Sequence, residues 1–189
     1  MKRILCIGDS NTFGHDPRSY GGDRYPREVR WTGRLERPDR EVLNHGHNGA
    51  CIPQGAALDD TAELIQSCRP LDAAVIMLGT NDLLRGASAA EAARRMEGML
   101  VCLREDCAEK LLLVAPPPMK RGSWVPTDAL VDESKKLGRL YRETAARQEV
   151  FFADAGDWDV ELIFDGVHFS PEGHAAFARG LSAALDMVL

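Results

Sequence analysis

The stretch Ala73-Ala74-Val75-Ile76-Met77-Leu78-Gly79 decides the fold. An unbroken apolar run that stops at a glycine, with no polar alternation, fits a strand buried on both faces better than one with a wet side. Two other runs read the same way: Ile4-Leu5-Cys6-Ile7 before Gly8, and Leu111-Leu112-Leu113-Val114-Ala115 before Pro116. Weaker strands are expected at Val42-Leu43 and Val150-Phe151-Phe152. Between and after them lie helical stretches, around Leu58 to Cys68, from Ser88 to about Leu103, from about Val131 to Ala146, and from Pro171 to the end. Ser88 with Glu91 makes a capping box, and Ser170 followed by Pro171 supplies an N-cap and a proline at the first helical position. Strands alternating with helices need crossovers that cover both faces of a parallel sheet. The expected fold is α/β, a three-layer α/β/α sandwich on a five-stranded parallel sheet, flavodoxin-like, formed by one domain over residues 1–189.

Composition narrows the function classes. Hydrophobic residues make up 44% and charged residues 28% of the 189-residue chain, which is ordinary globular usage and enough length to bury a core. A net charge of -6 argues against a grip on nucleic acid or anionic lipid, which needs a concentrated basic face. The cysteines Cys6, Cys51, Cys68, Cys102 and Cys107 are odd in number and lack the paired spacing of a zinc or redox site, so they read as reduced, mostly packed thiols. The N-terminal apolar run is too short for a signal peptide or membrane span, and the expected compartment is the cytoplasm.

In a sheet of this kind ligands bind at the carboxyl ends of the strands. Those ends carry Gly8-Asp9-Ser10-Asn11, Asn44-His45-Gly46-His47-Asn48-Gly49 and Gly79-Thr80-Asn81-Asp82, while Asp165-Gly166-Val167-His168 precedes the last helix. A serine hydroxyl is a weak nucleophile until a base activates it, the base needs an orienting carboxylate, and the developing oxyanion needs preorganised donors. Each role has a candidate among these segments. The nucleophile elbow of an ordinary α/β-hydrolase would need glycine at position 12, where this chain has Thr12.

In order and separation the four segments resemble the consensus blocks of the SGNH/GDSL hydrolase family, nearly end to end. The resemblance implies Ser10 as nucleophile, Asp165 and His168 as acid and base, and an oxyanion hole formed by Ser10, Gly49 and Asn81, with no metal and no cofactor. Arg30-Trp31-Thr32-Gly33, Pro116-Pro117-Pro118 and Asp154-Ala155-Gly156 are similar to the arylesterase and acyltransferase branch, which implies short-acyl esters such as acetyl, transfer to alcohols as a further reaction, and self-association. Asn11 stands where the family name expects leucine, and the loops His15 to Tyr25 and Ser123 to Val131 do not align with the family.

Plainer readings stand beside these. Asp9 is expected to brace the nucleophile turn by accepting backbone N–H bonds. His45 and His47 could share a strand face and, with Cys51 near, hold a metal, but supporting ligands are absent. Trp31 and Trp124 fit a substrate pocket, core packing or a subunit contact. His15 and His174 show no partner and are assigned to the surface. Outside the serine chemistry, the Ser10-Asn11-Thr12 loop of a flavodoxin-like module could cradle a phosphate. The expected partner is a small-molecule ester, with acetylated carbohydrate, lysophospholipid and acyl thioester as alternative substrates.

Overall fold

The computed structural model describes residues 1–19, 21–106 and 110–189. Five strands form one sheet: β1 (Lys2–Gly8), β2 (Arg40–Gly46), β3 (Ala73–Met77), β4 (Lys110–Ala115) and β5 (Phe151–Asp154), in the order β2-β1-β3-β4-β5. Every pairing is parallel, with Ile7 opposite His45 on one side and Ile76 on the other. The two weak strands are longer than their apolar cores suggested. β2 runs through Asn44, His45 and Gly46 because its polar end lies at the rim of the sheet, where side chains meet the connecting loops.

The helices are α1 (Ser10–Phe13), α2 (Trp31–Leu35), α3 (Ala56–Ser67), α4 (Thr80–Leu84), α5 (Ala89–Asp106), α6 (Asp128–Arg147) and α7 (Pro171–Val188). Strand periodicity sorts them into two layers. Leu5, Ile7, Ala74, Ile76, Leu111 and Leu113 face the layer of α3, α5 and α6, while Ile4, Cys6, Val75, Met77, Leu112 and Val114 face α2 and α7. The capping signals hold in detail. Ser88 and Glu91 exchange reciprocal bonds at the start of α5, and Ser170 Oγ accepts the Gly173 N–H at the start of α7. α6 begins before Val131, at Asp128, because the Thr127 side chain caps it. The short helices α1, α2 and α4 carry too few residues for a periodic signal. Among the described residues no helix is long and apolar enough to cross a membrane.

Cys6 is buried, Cys51, Cys68 and Cys102 are half-buried, and Cys107 lies outside the described residues. In this strand order β1 and β3 flank the point where the chain reverses its direction of growth across the sheet, which is where such sheets place their ligands. The short helices that follow these two strands, α1 and α4, carry Ser10 and Asn81.

Candidate active site

β1 passes into α1 through a single residue, Asp9, whose Oδ1 caps the helix by accepting the Asn11 N–H at 2.9 Å. α1 folds back so closely that a Cβ on Gly8 would lie 2.0 Å from Thr12 Oγ1 and 2.9 Å from the Met77 carbonyl oxygen. Only glycine fits there, and the tight return leaves Ser10 as the first residue of the helix, at the rim. The expected brace at Asp9 is present. Burial pushes its carboxyl up to about 6, against the Asn11 hydrogen bond and the attraction of His168.

The loop before α7 brings the other two groups to Ser10. His168 Nε2 lies 3.0 Å from Ser10 Oγ, and its Nδ1 lies 2.7 Å from Asp165 Oδ2. The second carboxylate oxygen, Asp165 Oδ1, accepts the N–H groups of Val167 at 2.8 Å and His168 at 2.9 Å. Burial opposes the charge on Asp165, but these bonds outweigh it and hold the carboxyl below its ordinary value. All three side chains are buried to within a few per cent.

Asn11 does work that the motif did not announce. Its amide donates to the Val167 carbonyl at 3.1 Å and accepts from the Phe169 N–H at 3.0 Å, gripping the backbone on both sides of His168. The residue next to Ser10 therefore sets the distance from serine to imidazole. The signal was the asparagine itself, in the position where leucine is usual and a buried amide needs partners. Asn11→Leu removes both bonds and leaves a buried N–H and C=O unpaired. The expected result is a kcat lowered about 10- to 100-fold with KM little changed, together with a lower melting temperature; steady-state kinetics and thermal denaturation check it.

The β2 exit loop is tied down on both sides. His47 N–H donates to Gly8 O at 3.0 Å, Asn81 Nδ2 donates to Ala50 O at 3.0 Å, and Asp82 accepts the Ile52 N–H at 3.0 Å. Asp82 is fully buried and also pairs with Arg95 at 2.7 Å. This carboxylate, adjacent to Asn81 in the same block, was not singled out from the sequence, and it fixes the loop that carries Gly49. Gly49 has φ +73°, and its carbonyl accepts from Arg85 at 3.0 Å. Among the described residues the N–H groups of Ser10 and Gly49 have no acceptor.

The remaining sequence expectations are sorted by packing. Trp31 is a core residue, 1% exposed against Phe177, and its Nε1 donates to Asn11 O at 2.8 Å. Trp124 packs edge-on against His168 at 5.0 Å. The surface assignment of His15 and His174 is overturned. His15 is half-buried with its ring 4.9 Å from that of His168, and His174 is 1% exposed between Tyr25 and Phe169. The signal for His174 was helical spacing, since it precedes Phe177, Ala178, Leu181 and Leu185 on the buried stripe of α7. His45 and His47 hydrogen-bond to each other at 3.2 Å, and among the described residues no group of three or more ligating side chains gathers there or elsewhere. In the phosphate-cradle reading Asn11 and Thr12 would face a ligand; instead Asn11 grips the His168 loop and Thr12 is buried against Gly8.

A family model described as GDSL-like lipase/acylhydrolase matches residues 6–176. The chain belongs to this family. Solved structures similar to this acylhydrolase include the aryl esterase of M. smegmatis, at 28% identity and TM-score 0.86 with 100% of both chains covered. A carbohydrate acetylesterase family member from Sinorhizobium meliloti matches at 28% identity and TM-score 0.86, covering 100% of this chain and 99% of its own. A protein from Agrobacterium tumefaciens strain C58, provisionally named an arylesterase, is 32% identical with TM-score 0.86 over 100% of both chains. No curated protein matches the sequence. The family makes this acylhydrolase an esterase on the expected α/β fold.

Proposed function

We propose that the chain is a serine esterase of small carboxylic esters with short acyl groups such as acetyl, acting through an acyl-enzyme intermediate. The observation that carries this reading is the unbroken relay from Ser10 Oγ to His168 Nε2 at 3.0 Å and from His168 Nδ1 to Asp165 Oδ2 at 2.7 Å. His168 takes the serine proton as Oγ attacks the carbonyl carbon, and returns it to the departing alkoxide oxygen. Asp165 fixes the tautomer and stabilises the imidazolium formed between those steps. The N–H groups of Ser10 and Gly49, with the second Nδ2 hydrogen of Asn81, receive the oxyanion. Water, activated by the same imidazole, then releases the acid; an alcohol in its place gives transfer by the same route. The name of the carbohydrate acetylesterase relative supports the short-acyl preference.

Release of p-nitrophenol from an acetyl to octanoyl series tests the reading. The expected result is turnover that resists a chelator, is greatest for acetyl, and is abolished by a fluorophosphonate that adds one covalent label at Ser10. Absence of both turnover and label would sink it.

A further inference from the structure

The segment after β4 does not wander over the surface but is laced onto the loop that bears Asp165. Lys120 N–H donates to Gly166 O at 3.0 Å, Ser123 N–H to Phe164 O at 3.3 Å, and Trp124 N–H to Asp165 O at 3.1 Å. The two backbones approach so closely that a Cβ on Gly122 would meet the Asp165 carbonyl carbon at 2.3 Å, and one on Gly166, at φ +82°, would meet Lys120 O at 2.0 Å. Trp124 is therefore held in place by main chain. Its indole packs edge-on to the His168 imidazole, at 5.0 Å between centroids and 78° between planes, yet it remains 53% exposed. Phe164, on the facing segment of the same lacing, is 68% exposed. Two large apolar rings that the core does not use thus stand exposed on this lacing, one of them in contact with the buried imidazole.

We infer that Trp124 forms the leaving-group subsite, a stacking platform for esters whose alcohol carries a flat or chair-like ring, as phenols and pyranoses do. The inference rests on the esterase reading above. In that chemistry the alcohol oxygen must sit at His168 Nε2 to recover the proton as its bond to the acyl carbon breaks, so the atoms just beyond it lie within reach of whatever packs on the imidazole. The acyl group points away from His168 and does not meet this ring. Stacking on an indole face suits both an aromatic ring and the C–H face of a sugar. A two-carbon alcohol is too short to cover it.

The test compares ethyl acetate, phenyl acetate and an acetylated methyl pyranoside with the wild type, Trp124→Ala and Trp124→Phe. All three esters give the same acetyl-enzyme, so deacylation is common to them and kcat/KM, which reports acylation, carries the comparison. Trp124→Ala is expected to lower kcat/KM roughly three- to tenfold for ring-bearing esters and less than twofold for ethyl acetate, with Trp124→Phe restoring most of the loss. A loss confined to phenyl acetate, or to the pyranoside, identifies which ring the platform serves. Equal losses on all three esters, as a structural or subunit-contact role would give, overturn the inference, and so does no change on any. If the wild type turns over none of the three, the esterase reading itself falls and this one with it.

Discussion

Ser10→Ala and His168→Ala are each expected to lower kcat/KM for a short-chain ester by about 10⁴- to 10⁶-fold, with the double variant no worse than either alone. The non-additivity is the informative part. An imidazole with no hydroxyl to deprotonate has nothing to activate, and a hydroxyl with no base stays at its ordinary, weak nucleophilicity. Once one member is gone, the other has no remaining share in the barrier. What survives is the contribution of the oxyanion donors, which neither substitution touches. The fold should tolerate the serine change, because among the described residues the Ser10 hydroxyl bonds only to His168. Single-turnover and steady-state kinetics on the three variants, with melting temperatures alongside, check this. Losses that multiply in the double variant would mean that the two residues act in separate steps, and the relay would have to be abandoned.

The second large effect concerns stability against pH, where two buried groups pull in opposite directions. Asp9 has its folded pKa raised from 3.8 to about 6, chiefly by burial. Between those values the folded protein keeps a proton that the unfolded chain has released, so stability falls as pH rises through the window. His174 has its folded pKa lowered from 6.5 to about 3, chiefly by burial and then by Arg34, Arg30 and His168. There the unfolded chain takes up a proton that the folded protein refuses, so stability falls as pH drops from 6.5 towards 3. Over their common range the two trends nearly cancel. Each variant should unmask the other group. At roughly 1.4 kcal/mol per tenfold change in ionisation constant, Asp9→Asn should gain about 2 kcal/mol relative to wild type between pH 4 and 7. The Trp31 backbone N–H donates to His174 Nδ1 at 3.4 Å, a bond that a glutamine side-chain oxygen can also accept, and His174→Gln should gain about 3 kcal/mol relative to wild type between pH 6.5 and 4. Urea unfolding at half-unit pH steps measures both differences, and profiles parallel to wild type would contradict them.

How much of this was legible in the sequence follows from what each feature depends on. β1, β3 and β4 were readable because burial on both faces leaves a continuous apolar run. The long helices were readable because an amphipathic stripe and a cap such as Ser88 or Ser170 are local patterns. Ser10, Asp165 and His168 stood out because their chemistry demands particular residue types at strand and helix ends. Asn11 and Asp82 did not, since each acts through backbone groups far away in the chain: Asn11 on Val167 and Phe169, Asp82 on Ile52. No local pattern encodes such a partner. The surface assignment of His174 fails because it reads the residue singly, although its spacing to Phe177, Leu181 and Leu185 puts it on the buried stripe of α7. Trp124 stayed open between pocket, core and subunit contact because its neighbours come from the Asp165 segment, and loop conformation is set by close approaches such as that of Gly122 rather than by periodicity.

The segment that carries His168 has a further consequence. Five successive N–H groups, from Gly166 to Ser170, each have an acceptor: Ile163 O, Asp165 Oδ1 twice, Asn11 Oδ1 and Glu161 O. Such a density of bonding is ordinary inside a helix and unusual in a connection. A loop so anchored has little conformational entropy left to lose when a substrate arrives. The attraction between enzyme and ester therefore need not be diverted into ordering the base, and can be expressed where the bonds are changing.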